Sequence, residues 1–304
     1  REKLQLFPKF QQVDTCAGEF ASQTPYFYST YWAQADAPTE FKKPVVIIGS
    51  GPNRIGQGIE FDYSCVRGVK AYQRLGHQVV MINSNPETVS TDYDTSDILF
   101  FEPLTEEHVG EILRRVQPKG FVAQLGGQTP ITLAHVLVDR GFALLGSSLR
   151  TIDLAEDRGL FGDICRELKF QIPQFAMVSD LKEAIIAVEK IHYPVICRPS
   201  YVLGGRRMEV IENEAELESY FERHGHFISK TRLCLVDQFL EGALEVDVDL
   251  VRGQDCCLIG GVVAHIEAAG VHSGDSMGVL PPQRLKAETC KKIEDLSRRL
   301  ADRI

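Results

Sequence analysis

Four stretches of this 304-residue chain carry residue types and spacings suited to holding phosphates or polar ligands. The loop GSGPNRIGQG, residues 49–58, follows a short β-branched run and precedes a segment with helical spacing. Backbone N–H groups and a helix N-terminus are placed there to receive an anion. The details fit neither common nucleotide loop. Arg54 stands where a dinucleotide fingerprint needs its last glycine, Pro52 interrupts the loop, Asn83 and Asn85 replace the acid at the end of the next strand, and no GK[ST] follows. A tight strand-to-helix turn that binds nothing fits these residues equally well. Arg198 ends the run Val195-Ile196-Cys197, where a guanidinium can grip phosphate oxygens bidentately, and Leu203-Gly204-Gly205-Arg206-Arg207 is a flexible turn with two further positive charges. A surface ion pair and an exposed hairpin are the alternatives. Glu245, Asp247 and Asp249 alternate with Val246, Val248 and Leu250, which puts three carboxylates on one strand face. That is either a solvated face or a carboxylate set for sugar hydroxyls or a cation. In AGVHSGDS, His272 and Ser273 lie between glycines, a loop whose backbone can approach a ligand closely.

The elements that must position these groups fall into two patterns. From Pro44, short apolar strands at 45–48, 78–83, 98–101, 121–126 and 142–146 alternate with helices over 60–75, from a Thr105 cap to Arg115, and over 129–140. This alternation predicts a parallel sheet covered on both faces. The polar loops 83–97 and 124–130 follow strand C-termini, so with the glycine loop three loops converge on one sheet edge. Beyond residue 150 come a helix-rich stretch over 148–168, strands at 175–178, 193–198 and 208–212, helices to Lys190 and over 214–223, and three long strand runs. Arg252-Gly253-Gln254-Asp255 reads as a hairpin turn between the last two. The expected organisation is a tail and linker over 1–40, an α/β domain over 41–150 and an α+β domain over 151–304. The aromatics Tyr26, Phe27, Tyr28, Tyr31 and Trp32 lack interleaved Lys or Arg and read as a packing surface between domains.

Composition sets outer limits. Net charge is −9 and the isoelectric point is near 5.5, so no general field favours nucleic acid. Apolar runs fall well short of the roughly 20 residues that cross a bilayer. The first ten residues, REKLQLFPKF, do not read as a signal peptide, which makes the cytoplasm the default expectation. Eight scattered cysteines with no CxxC pair are expected to be reduced thiols, several of them small core residues.

The blocks VDTCAGEFASQTPYFYSTY, GSGPNRIGQGIEFDYSCVRG, INSNPETVSTDYDTSD, QLGGQTP, AEDRGLF, RPSYVLGGR, EVDVD and HIEAAGVHSGDS occur in the order and spacing of the carboxy-terminal half of carbamoyl-phosphate synthetase large subunits, and the chain resembles that family over nearly its whole length. The resemblance implies the end of a helical oligomerisation region over 1–40, a Rossmann-like pre-ATP-grasp domain over 41–150 and an ATP-grasp domain over 151–304. It further implies an ATP site in which Arg158 and Arg198 serve the phosphates and catalysis, Gly204 and Gly205 cover them, Gln238 and Leu240 border the adenine, and Glu245 receives the ribose hydroxyls. Gly270, Val271, His272 and Ser273 would contact the nucleotide, with potassium near Glu245 and His265. In the intact enzyme, ATP and Mg2+ (or Mn2+) would phosphorylate carbamate to carbamoyl phosphate, serving arginine and pyrimidine biosynthesis. The implied partners are the remainder of the large subunit and a glutaminase small subunit, with room for oligomers.

ATP-grasp enzymes hold magnesium late in the fold, on segments that include a Glu followed two residues later by Asn, and no such segment occurs in this chain. A final helix with Cys290, Ile293, Leu296, Leu300 and Ile304 on one face is expected to end without the strands it should cover. The reading is therefore of a C-terminally truncated ATP-grasp domain, inactive alone. Its rivals are another ATP-grasp carboxylase or ligase, and a non-catalytic binding or assembly module.

Overall fold

A computed structural model describes residues 2–54, 58–199, 207–271 and 275–304. The chain divides into two compact units, Arg1–Arg54 with Gly58–Asp153 and then Leu154–Ile304. The division falls inside a helix, a few residues beyond the expected boundary.

The first unit contains β1 (Lys9–Gln12), β2 (Tyr26–Thr30), β3 (Val45–Ile48), α1 (Glu60–Arg74), β4 (Val79–Asn83), β5 (Ile98–Phe101), α2 (Glu106–Val116), β6 (Gly120–Val122), α3 (Gln128–Asp139) and β7 (Leu144–Leu145). They form one sheet in the order β1-β2-β5-β4-β3-β6-β7, parallel except where β1 runs against β2. Every residue of β3 and β4 is buried, because successive side chains enter different cores. Val46, Ile48, Val80 and Ile82 join Val109, Ile112, Leu113 and Leu137 of α2 and α3. Val45, Ile47, Val79 and Met81 join Cys65 and Val69 of α1. Thr105 caps α2 as expected, its side chain accepting from His108 N at 3.4 Å.

Residues 1–40 differ from the expected tail and linker, since two of their segments are strands of this sheet. Phe10 and Phe27 are buried and stack on Phe100 with ring centroids 5.2 and 5.6 Å away. β1 is the edge strand and β2 lies between it and β5; Phe10 and Phe27 enter one core, while Tyr26 packs on the opposite core with its ring centroid 5.1 Å from that of Phe101. The aromatic cluster is split accordingly, with Trp32 95% exposed.

The second unit begins within α4 (Leu149–Glu156) and continues with α5 (Arg158–Glu167), β8 (Phe175–Val178), α6 (Leu181–Ile191), β9 (Val195–Pro199), β10 (Glu209–Ile211), α7 (Glu214–His224), β11 (Cys234–Gln238), β12 (Val246–Arg252), β13 (Cys257–His265), β14 (Gly278–Val279) and α8 (Ala287–Arg303). An antiparallel sheet β10-β9-β11-β8 packs Val195, Cys197, Cys234 and Val236 against α6 and α7. The hairpin β12-β13 turns through Gly253–Cys256, where Gly253 N donates to Cys256 O, and β14 extends it to three strands. Asp247 and Asp249 are exposed on β12 as its alternation requires, while Glu245 lies one residue before the strand.

The last helix departs from expectation, because α8 does rest on strands. It packs on β12, β13 and α5, held by Arg298 to Cys257 O, Arg252 to Asp302, and Arg303 bidentate on Glu167 at 2.7 to 3.1 Å. Arginines outside its apolar face dock it at their tips, a contact that apolar periodicity does not reveal. None of its residues is fully buried.

A Cβ at Gly126 would lie 2.4 Å from Ile48 O and 2.8 Å from the Gly49 carbonyl carbon, both backbone atoms that cannot turn aside. Gly126→Ala should therefore lower the unfolding free energy by about 1 to 3 kcal/mol, measured by urea denaturation. Wild-type stability in that variant would contradict the packing of the β6–α3 turn on β3.

Candidate functional site

The glycine loop after β3 is held together from within. Gly51, at φ +74°, donates its N–H to Asn83 Oδ1 at 3.0 Å. Asn83, fully buried, donates to Ser90 Oγ at 3.0 Å, and Ser90 N in turn donates to Asp62 Oδ2 at 3.1 Å. A Cβ on Gly49 would strike the Asn83 side chain at 2.6 Å. The loops after β3, β4 and β6 do meet at one sheet edge, and the glycines there make room for neighbouring protein atoms. Residues 55–57 of this loop lie outside the described residues.

The second unit contains a cavity of about 520 Å³ lined entirely by its own residues. Asp157 caps α5, its Oδ1 accepting from Leu160 N at 2.8 Å, which sets Arg158 in the first turn facing the cavity. On β9 and β11 the alternation that buries Cys197 and Val236 sends Arg198 and Asp237 to the cavity side. Arg198 Nη2 lies 2.6 Å from Asp237 Oδ2, and Arg158 Nη1 lies 3.9 Å from the same oxygen. Burial, followed by the like charge of Arg198, pushes the Arg158 guanidinium below its ordinary range, and Asp237 opposes them. Arg198 Nε is buried without a hydrogen-bond partner among the described residues.

The remaining wall is apolar: Ile172, Pro173, Phe175, Ile196, Phe239 and Leu240. The segment after β11 is pinned by backbone bonds, Gln238 N to Gln174 O at 2.8 Å and Phe239 N to Pro194 O at 3.0 Å. The Gln238 side-chain oxygen turns back to within 3.5 Å of Gln174 N. Glu245 closes the other end, its Oε2 accepting from Gly270 N at 3.3 Å. Gly270, at φ +96°, occupies a backbone conformation that favours glycine.

Arg158, Arg198, Gln238, Leu240, Glu245 and Gly270 thus come together around one cavity. Val271 is described but does not line it, and Gly204, Gly205, His272 and Ser273 lie outside the described residues. Arg207 stands elsewhere than the phosphate-facing position its charge suggests. Its guanidinium carbon is 3.5 Å from the Phe227 ring centroid, and its carbonyl accepts from Tyr220 Oη at 3.0 Å. His265 faces Asp247, Nε2 to Oδ2 at 2.8 Å, and shares a backbone hydrogen bond with Glu245. Among the described residues no group of three His, Cys, Asp or Glu side chains could hold a metal ion. Asp237, which neutralises both arginines, was missed from sequence. Its one signal is a charge directly after the apolar run Leu233 to Val236, on the same strand.

Residues 41–154 match the family model described as carbamoyl phosphate synthase preATP-grasp domain, and residues 157–304 match carbamoyl-phosphate synthase L chain, ATP binding domain. The carbamoyl phosphate synthase large chain of Gemmatimonas aurantiaca is 49% identical over 304 residues, covering all of this chain and 28% of that protein. That of Rubrobacter xylanophilus is 51% identical over 301 residues, 99% of this chain and 28% of its own length. The chain therefore spans a little over a quarter of these relatives. Among solved structures, the biotin carboxylase domain of Hydrogenobacter thermophilus 2-oxoglutarate carboxylase aligns with TM-score 0.64 at 18% identity, over 86% of this chain and 58% of that one. N5-carboxyaminoimidazole ribonucleotide synthetase from Thermus thermophilus aligns with TM-score 0.61 at 16% identity, over 85% and 63%. These two likenesses establish fold alone.

With its carboxylate removed, the two guanidiniums would face each other with no counter-charge. Asp237→Asn should lower stability by about 1 kcal/mol at low ionic strength, with the loss shrinking in about 0.5 M salt. Denaturation curves at the two salt concentrations check this, and an effect independent of salt would show that Asp237 acts through packing.

Proposed function

Because the chain belongs to the carbamoyl phosphate synthase large-chain family, we propose that its second unit is an ATP site. In the intact large chain we take this to be the site where ATP phosphorylates carbamate, giving carbamoyl phosphate and ADP. The assignment to carbamate rests on motif resemblance to the carboxy-terminal half, and the chain's place in a longer large subunit served by a glutaminase subunit is part of the same proposal.

The observation that carries the reading is the division of one cavity into a cationic end and an apolar wall. Its volume, about 520 Å³, suits a nucleotide-sized ligand. Arg198 and Arg158 would take phosphate oxygens, and the buried unpaired Nε of Arg198 is a donor that such an oxygen would satisfy. Asp237 holds the two like charges together until the phosphates arrive. The apolar wall from Ile172 to Leu240 would take the flat base. Glu245 would exchange its hydrogen bond from Gly270 for ribose hydroxyls. Phosphoryl transfer needs chiefly positioning and charge stabilisation, which are the services these side chains can supply.

Calorimetric titration of the purified chain tests the reading. ATP should bind, Arg198→Ala and Glu245→Ala should each weaken it roughly tenfold or more, and only Glu245→Ala should also weaken adenosine. Absence of ATP binding, or equal binding by all three proteins, would refute it.

A further inference from the structure

The sheet β10-β9-β11-β8 ends on β8, and among the described residues no strand pairs with the outer edge of β8. The ladder fixes which backbone groups point outward. Gln238 N donates to Gln174 O, and in an antiparallel pair every second residue bonds the same neighbour. Gln174, Ala176 and Val178 therefore turn their N–H and C=O groups to β11, while Phe175 and Met177 turn theirs to the outside. The next outward positions offer no N–H: Pro173 has none, and Ser179 N donates to Glu183 Oε2 at 2.7 Å. The open edge borders a groove of about 770 Å³, lined by β8 together with Glu183, Ile186, Ala187 and Lys190 of α6. Open edges invite another strand, and soluble proteins usually block them.

Strand and helix are both self-complementary about one point. A two-fold axis perpendicular to the sheet at Ala176 sets Phe175 of one copy opposite Met177 of the other, so the outward N–H and C=O groups of both residues pair. It sets Pro173 opposite Ser179, the two positions with no N–H to offer, and strands no donor. Ala176 itself is small where non-hydrogen-bonded Cα atoms come within about 4.5 Å. The helix has the same centre. α6 starts level with Ser179, whose N–H the Glu183 carboxylate accepts, and the chain re-enters the sheet at Pro194, which Phe239 N bonds one rung past Gln174. The middle of α6 is thus level with Ala176. Glu183, Ile186, Ala187 and Lys190 share one side of the helix, and Ile186 is 56% exposed. The axis lays α6 antiparallel to its copy, with Glu183 facing Lys190 and the bulky Ile186 facing the small Ala187.

We propose that this chain forms an isologous dimer through β8 and α6, in which the four-stranded sheets of two copies join edge to edge. The spacing permits it. α6 covers both β8 and β11, so its axis lies between them, about half a strand spacing in from β8. With paired strands about 4.8 Å apart, the two copies of α6 come to lie about 9 to 10 Å from each other, within the roughly 8 to 10 Å at which helices pack. The charge pattern selects the occupant. Any extended peptide could satisfy the backbone edge, whereas opposite charges placed equally on either side of the axis match the surface's own copy. The inference does not depend on the nucleotide reading.

Sedimentation velocity of the full chain from about 1 to 300 μM tests the proposal. A monomer–dimer equilibrium is expected. Met177→Pro removes an N–H that faces outward, which an edge strand tolerates, and should raise the dimer dissociation constant roughly tenfold or more. Lys190→Glu and Glu183→Lys each set like charges face to face and should each weaken association. An equimolar mixture of those two variants restores opposite charges at both contacts and should associate more tightly than either alone. Because Glu183→Lys also loses the bond from Ser179, the mixture is the deciding measurement. A chain that stays monomeric throughout overturns the proposal and leaves the edge to a different partner. A dimer unchanged by Met177→Pro forms elsewhere on the molecule and overturns it equally, as does a mixture no tighter than its components.

Discussion

One carboxylate between two guanidiniums organises the second unit's cavity. Asp237 accepts from Arg198 at 2.6 Å and draws Arg158 to 3.9 Å, from a different element. Without it, two like charges lowered into a partly apolar cavity would repel each other. With it, α5, β9 and β11 converge so that their polar groups meet on one side and their apolar groups pack on the other. The same alternation that sends Arg198 and Asp237 to the cavity sends Cys197, Cys234 and Val236 into the helix-covered core. A single β-strand period thus sets the core and the site together. Neither can move without the other.

The first unit solves a different problem. Its central strands β3 and β4 are buried on both faces, which leaves their ends for polar contacts. At the C-terminal edge those contacts are internal: Gly51 to Asn83, Asn83 to Ser90, Ser90 to Asp62. The glycines permit loops to touch without side chains between them. Gly49 makes room for Asn83 and Gly126 for the Ile48 carbonyl. A sequence pattern that resembles a phosphate loop is accounted for, at the described positions, by backbone crowding. The same residues could serve either purpose, and only their neighbours distinguish the two.

Much of the fold was legible because it rests on local periodicity. The alternation of apolar strands and helices over 44–146, the Thr105 cap and the hairpin near Gly253 are each specified by residues within a few positions of one another. The strands at Lys9–Gln12 and Tyr26–Thr30 were not legible, since their pairing partners are a mobile choice among distant segments and only Phe10 and Phe27 report it. The docking of α8 was missed for a related reason. Its anchors are arginine tips reaching Glu167, Leu168 and Cys257, which follow no helical period.

The sequence by itself determined the family, through long ordered blocks, and marked Arg158, Arg198, Gln238, Leu240, Glu245 and Gly270, which line one cavity. Chemistry at a site is written in residue types, and those are visible in one dimension. The tertiary structure alone decided that Asp237 ties the arginines together, that Arg207 turns away to Phe227, and that Cys197 and Cys234 sit diagonally on adjacent strands. Each of these depends on which strand lies beside which and in what register. That is fixed by the burial of whole faces, a property no short stretch of sequence possesses.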